Sequence, residues 1–149
     1  MTRSFHEEYG FKSLVIGRAT LSATANSKIV TLREIPNLNE QDVFLPTLLK
    51  IAEEFKGRKL LLLACGDDYA KLIINNKPQL TPYFSVPYID KALMERLVLK
   101  ENFYDICEQY DFAYPKTTLC TFENKDTFTI DFPYPIIIKA SNSVAYWSC

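Results

Sequence analysis

The chain carries 149 residues, with 17 basic against 18 acidic side chains, a net charge of −1 and 48% hydrophobic residues. That length suits one domain with a real buried core, and the composition is neither collagen-like nor low in complexity. The balanced charge offers no broad basic field for nucleic acid, and the longest apolar run, "LLLLAC", is far too short to span a bilayer.

In chain order, "TRSFHEEYG" predicts the last turns of a helix stopped by Gly10. "KSLVIGRA" and "SKIVTLREI" predict strands. "DVFLPTLLKIAEEF" predicts an amphipathic helix with Val43, Leu48, Leu49 and Ala52 or Phe55 on one face, capped by Asp42 and ended by Gly57. "KLLLLACG" is a short continuous apolar run, the pattern of a strand covered on both faces. "DDYAKLIINNKPQL" predicts helix and "YFSVPYI" extended chain. "DKALMERLVL" and "KENFYDICEQY" predict two short helices, the second with Phe103, Ile106 and Cys107 packed inward. "YPKTTLCTF" and "PYPIIIKA" predict the last strands.

Strand and helix alternating in this way imply a parallel α/β sheet. The turn-rich "FENKDTFTIDFPYP" marks the boundary at which a second sheet is expected, and composition becomes more β-like after about Tyr114. A parallel unit normally opens with a strand feeding its first helix, whereas this sequence opens within a helix. One reading places a missing central strand upstream; the other has the fold start with a helix.

Four cysteines (Cys65, Cys107, Cys120, Cys149) form no C-x-x-C pair, and His6 is the one histidine. A structural zinc site is not expected, and the thiols read as reduced, mostly buried and cytosolic. "MTRSFHEEYG" has no apolar signal segment, so an intracellular, cytoplasmic protein is expected.

Four places can carry chemistry. Lys139 ends an apolar run, Pro135 to Ile138, and is followed by "ASNSVAYW". A stiff strand would fix its ammonium, and the next loop supplies the Ser141 and Ser143 hydroxyls and backbone N–H groups for phosphate oxygens. The plainer reading is a surface lysine beside a turn. Lys100 opens a helix, an end where the dipole disfavours a cation, so it either serves another group or is a solvated helix end. Asp67 and Asp68 follow a strand and Gly66, where α/β sheets collect ligands, yet an N-cap accounts equally well for one of them. Arg3 and Ser4 form a possible anion grip or a solvated terminal pair. No G-x-G-x-x-G or Walker loop is present.

Taken together, "RSFHEEYG" (3–10), "SKIV" (27–30), "LLLLACGDDYAKLI" (60–73), "PYIDKALMERL" (87–97), "KENFYDICEQYDFAYPKT" (100–117) and "FPYPIIIKASNSVAYW" (132–147) resemble the front half of ATP-grasp carboxylate–amine ligases. The resemblance implies a Rossmann-like, parallel-sheet pre-ATP-grasp α/β domain over residues 1–118. It implies the first strands of an ATP-grasp ATP-binding subdomain over 119–149. Lys100 and Lys139, with Ser141 and Ser143 in a lid loop, would hold ATP phosphates; Arg3, Ser4, Asp67 and Asp68 are the substrate-side candidates. The implied chemistry activates a carboxylate, D-aspartate among the candidates, as an acyl phosphate that an amine then attacks, with Mg2+ assisting. In relatives of that kind the amine is a lysine side chain of a peptidoglycan precursor. Relatives also carry a strand and Gly-containing loop before "RSF" and place their Mg2+ ligands after the lid, so the chain is expected to be a fragment, inactive alone. The alternative expectation is a non-catalytic α/β ligand-binding or interaction module.

Overall fold

The computed structural model describes residues 1–19 and 22–140, without the side chains of Ser22, Ala23 and Glu101. It is a mixed α/β structure whose described strands all pair in parallel. The chain divides into two compact units, Met1–Pro87 and Tyr88–Cys149.

The first unit opens with α1 (Thr2–Tyr9). Gly10 ends it in the left-handed region at φ 70°, its N–H bonded to the His6 carbonyl. Only a residue without a Cβ takes that conformation cheaply, so the chain turns at Gly10 and enters β1 (Ser13–Gly17). A one-turn helix, α2 (Ser22–Ala25), then leads to β2 (Val30–Glu34). β1 and β2 pair in parallel with Ser13 opposite Val30 and Gly17 opposite Glu34. Both strands were expected and so was a parallel sheet, but the one-turn helix between them was not.

Helix α3 (Gln41–Glu54) buries Phe44, Leu48, Ile51 and Ala52. That stripe is spaced i, i+4, i+7 and i+8, one face of a 3.6-residue period. The expected face holds in part: Leu48 and Ala52 are buried, Val43 and Phe55 are half-buried, and Leu49 is 36% exposed. Asp42 lies in the first turn, and Glu40, not Asp42, holds the N-cap position. Pro46 is the sixth residue of the helix, so its missing N–H leaves the Asp42 carbonyl without its i→i−4 donor.

β3 (Leu60–Leu61) pairs in parallel with β4 (Phe84–Ser85), and the Leu62 N–H extends the pairing to the Ser85 carbonyl. Between them run α4 (Asp67–Asn75) and α5 (Lys77–Leu80). Asn76 joins these two helices and is 2% exposed. Its side chain exchanges hydrogen bonds with Gln41 at 2.5 and 3.0 Å and donates to the Leu72 carbonyl at 2.8 Å. A buried amide satisfied in this way locks α4 to the start of α3, and Phe44 stacked near Tyr69 (6.4 Å between centroids) adds an apolar tie. Leu38, Leu48, Ile73 and Leu80 are the most deeply buried large side chains.

"KLLLLACG" departs from expectation. Its strand is two residues long and it is not covered on both faces, with Leu61 48% exposed.

The second unit begins with α6 (Lys91–Val98) and α7 (Lys100–Gln109), separated by one extended residue, Leu99. Met94 and Cys107 are buried, whereas Phe103, expected to face inward, is 43% exposed. Beyond α7 the described chain is irregular to residue 140. The strands expected at "YPKTTLCTF" and "PYPIIIKA" are not formed: Leu119, Ile137 and Ile138 stand exposed. A strand exists only as part of a ladder, and no described segment offers these residues one. Side chains hold this stretch instead. Lys116 donates to Asp131 at 2.9 Å and lies over the Phe132 ring, Thr121 and Asn124 bond reciprocally, and Tyr114 stacks on Tyr104 at 5.2 Å.

No helix among the described residues is long and apolar enough to cross a membrane.

Candidate functional site

Lys100 is the first residue of α7, immediately after the extended Leu99. A cation there opposes the helix dipole, so its ammonium gains by turning toward a negative partner elsewhere. It does so: Nζ donates to the backbone carbonyl of Ala140. That carbonyl belongs to the residue directly after Lys139. The fold of the second unit thus brings one candidate lysine onto the main chain beside the other, across forty positions of sequence. Lys100 is half-buried, and Lys139 is exposed on chain that belongs to no strand. The stiff strand expected behind Lys139 is therefore absent among the described residues. Ser141 and Ser143 lie outside the described residues.

The remaining candidates are in the first unit. Asp67 and Asp68 occupy the first turn of α4, with Gly66 as the N-cap residue. Neither carboxylate caps the helix through its side chain, so the N-cap explanation fails for both. Both are exposed and sit just past the carboxyl end of β3, where two negative charges complement the positive end of the helix. Arg3 is 83% exposed and engages Glu7 one helical turn on, at 2.9 Å; Ser4 is exposed beside it. This pairing is the ordinary i, i+4 ion pair of a surface helix.

The described thiols depart from the expectation of burial: Cys65 and Cys120 are exposed and Cys107 is buried. No group of three His, Cys, Asp or Glu residues able to hold a metal ion occurs among the described residues.

Sequence reading missed the charged pairs that organise the surface. Arg33 of β2 grips Glu54 of α3 with two bonds of 2.6 and 2.5 Å. Those bonds hold the Glu54 carboxyl below its ordinary range and raise the Arg33 guanidinium further. Lys116 similarly lowers Asp131. Tyr114 donates its hydroxyl to Glu108, which raises the phenol above its usual value. These partners lie 21, 15 and 6 positions apart, and two of the three separations carry no helical or strand periodicity to announce them.

Compared with known proteins, the chain is 42% identical, over 155 aligned positions, to a D-aspartate ligase of Enterococcus faecium (strain Aus0004). The alignment covers 99% of this chain. The chain is a relative of D-aspartate ligase. It spans 37% of that ligase's length. No protein-family model and no solved structure matches it. Lys100, Lys139, Asp67, Asp68, Arg3 and Ser4 all fall within the 99% of the chain related to the D-aspartate ligase.

Proposed function

We propose that this chain is the amino-terminal part of an ATP-dependent carboxylate–amine ligase acting on D-aspartate. The observation that carries the reading is the 42% identity to a D-aspartate ligase along 99% of the chain. In this reading residues 1–118 are a Rossmann-like pre-ATP-grasp domain and residues 119–149 begin the ATP-binding subdomain of the ATP-grasp fold. The mixed parallel α/β structure is compatible with that assignment.

The Lys100 and Lys139 ammonium groups suit the oxygens of a triphosphate, and Ser141 and Ser143 add hydroxyl donors in the lid loop. Lys100 leaves its hold on the Ala140 carbonyl to meet the anion, which couples nucleotide arrival to the backbone that carries Lys139. Asp67 and Asp68, beyond the carboxyl end of β3, orient the ammonium of the amino-acid substrate; Arg3 and Ser4 serve its carboxylate. When bound, ATP with Mg2+ supplies the phosphoryl group that activates the substrate carboxylate for amine attack. In this reading the Mg2+ ligands belong to the remainder of the ligase. The enzyme would work in the cytoplasm on a peptidoglycan precursor, adding D-aspartate to a lysine side chain as part of a cross-bridge; this chain alone would not turn over.

The test joins this chain to the downstream portion of the relative and measures phosphate release from ATP. Release should depend on D-aspartate and rise with an amine acceptor, and Lys100→Met or Lys139→Met should each lower it by about 10²–10³-fold, the usual cost of losing one electrostatic donor to a transition state. Phosphate release indifferent to D-aspartate would refute the reading.

A further inference from the structure

Asn76 closes one helix and opens the next. Its backbone N–H bonds back to the Leu72 and Ile73 carbonyls of α4, and its carbonyl accepts from Gln79 and Leu80 of α5. It stands at the N-cap position of α5. An asparagine there ordinarily turns its side-chain oxygen onto the free N–H groups of the first turn. This one makes no such bond: Oδ1 accepts from Gln41 Nε2 at 2.5 Å instead. Nδ2 gives one hydrogen to Gln41 Oε1 and the other to the Leu72 carbonyl. The cap is forgone, and the whole amide serves a clasp between α3 and the end of α4.

The residues that α4 buries, Ile73 and Ile74, lie in its last turn, next to the clasp. Its first turn carries the exposed Asp67 and Asp68, followed by Tyr69, half-buried and stacked near Phe44. Apolar burial has no preferred direction, whereas a reciprocal amide pair is satisfied at one separation and one orientation. The clasp therefore sets the axis of α4 more narrowly than Ile73 and Ile74 can. Nine residues of helix span roughly 13 Å. A tilt of about 5° at the clasped end then moves the carboxylate end by about 1 Å, a displacement that can cost about 10²-fold in a positioned reaction.

We propose that Asn76, held by Gln41, is a positioning residue that aims Asp67 and Asp68 at the amino-acid substrate. It touches no substrate and acts only through the helix between them. This role rests on the substrate contact proposed above for the two aspartates. It reaches the amino acid and not the nucleotide, because the phosphate candidates Lys100 and Lys139 belong to the second unit.

The test uses this chain joined to the downstream portion of the relative, with KM measured separately for D-aspartate and for ATP. Gln41 is exposed, so Gln41→Leu removes the clasp without opening the core. Gln41→Glu keeps the acceptor for Asn76 Nδ2 and loses the donor to Oδ1. Each should raise KM for D-aspartate by about tenfold and leave KM for ATP within about twofold. In NMR spectra of the same proteins, the backbone amides of Asp67 and Asp68 should shift in both variants. A fall in kcat with both KM values unchanged, or a rise of both together, would mean that the clasp only stabilises the fold and would overturn the proposal. So would unmoved Asp67 and Asp68 amides. Asp67→Asn and Asp68→Asn separate this failure from that of the substrate reading. If either raises KM for D-aspartate while the Gln41 variants do not, the positioning role alone is lost. If neither does, the substrate role of the two carboxylates falls and the positioning role falls with it.

Discussion

Arg33 and Glu54 join β2 to the last turn of α3 by a two-pronged contact that is roughly one-third to one-half exposed at its side chains. The short bonds from Arg33 come first in lowering the Glu54 carboxyl, ahead of simple charge attraction. A carboxyl whose folded value lies below its unfolded one adds stability at neutral pH. That contribution is lost as pH falls through the folded value. Glu54→Gln removes the titration while keeping the shape. The stability gap between the two proteins, measured by urea unfolding, should be widest near neutral pH and should close below about pH 4, the ordinary carboxylate range. Because the pair is accessible to solvent, added salt should narrow the same gap at neutral pH.

At the scale of elements, α3 shows what periodicity conveys and where it misleads. The helix and its length were legible from "DVFLPTLLKIAEEF", and its face in part, with Leu48 and Ala52 buried as expected; Leu49 was placed with them because the two leucines are equally apolar and only packing decides between them. Leu48 is 2% exposed and Leu49 36%. Leu48→Ala should therefore cost about 2–5 kcal/mol in chemical denaturation, as a buried leucine does. Leu49→Ala should change stability by less than about 1 kcal/mol, since it opens no cavity. The stop of α1 at Gly10 was also legible, since it depends on local chemistry, a residue tolerant of positive φ; parallel pairing was expected from the alternation of strands and helices along the whole chain, while the short α2 between β1 and β2 went unread. The final strands were not legible either. "PIIIKA" has the composition of a strand, but pairing is a property of neighbours, which composition cannot supply. Lys100 and Lys139 were singled out separately; only the folded backbone shows that one grips the residue after the other.

For the molecule as a whole, burial is uneven along the chain. Most of the deeply buried apolar side chains belong to the first unit, whereas Phe122, Tyr134, Ile137 and Ile138 of the second are 77–88% exposed. Large apolar side chains held in water in this way promote association unless something covers them. Replacing Ile137 and Ile138 together by Lys should leave the thermal midpoint within about 2 °C, since neither contributes to a core. It should also lower light scattering at high protein concentration. A fall of the midpoint well beyond that range would show that these isoleucines are packed rather than exposed.

The contact between Lys100 and the Ala140 carbonyl makes two chemically identical amines unequal. An acylating reagent meets the Lys139 amine in open water, while the Lys100 amine must first let go of the main chain. Modification of this protein therefore proceeds in an order set by its folding. The second amine to react is the one whose release frees the backbone beside the first.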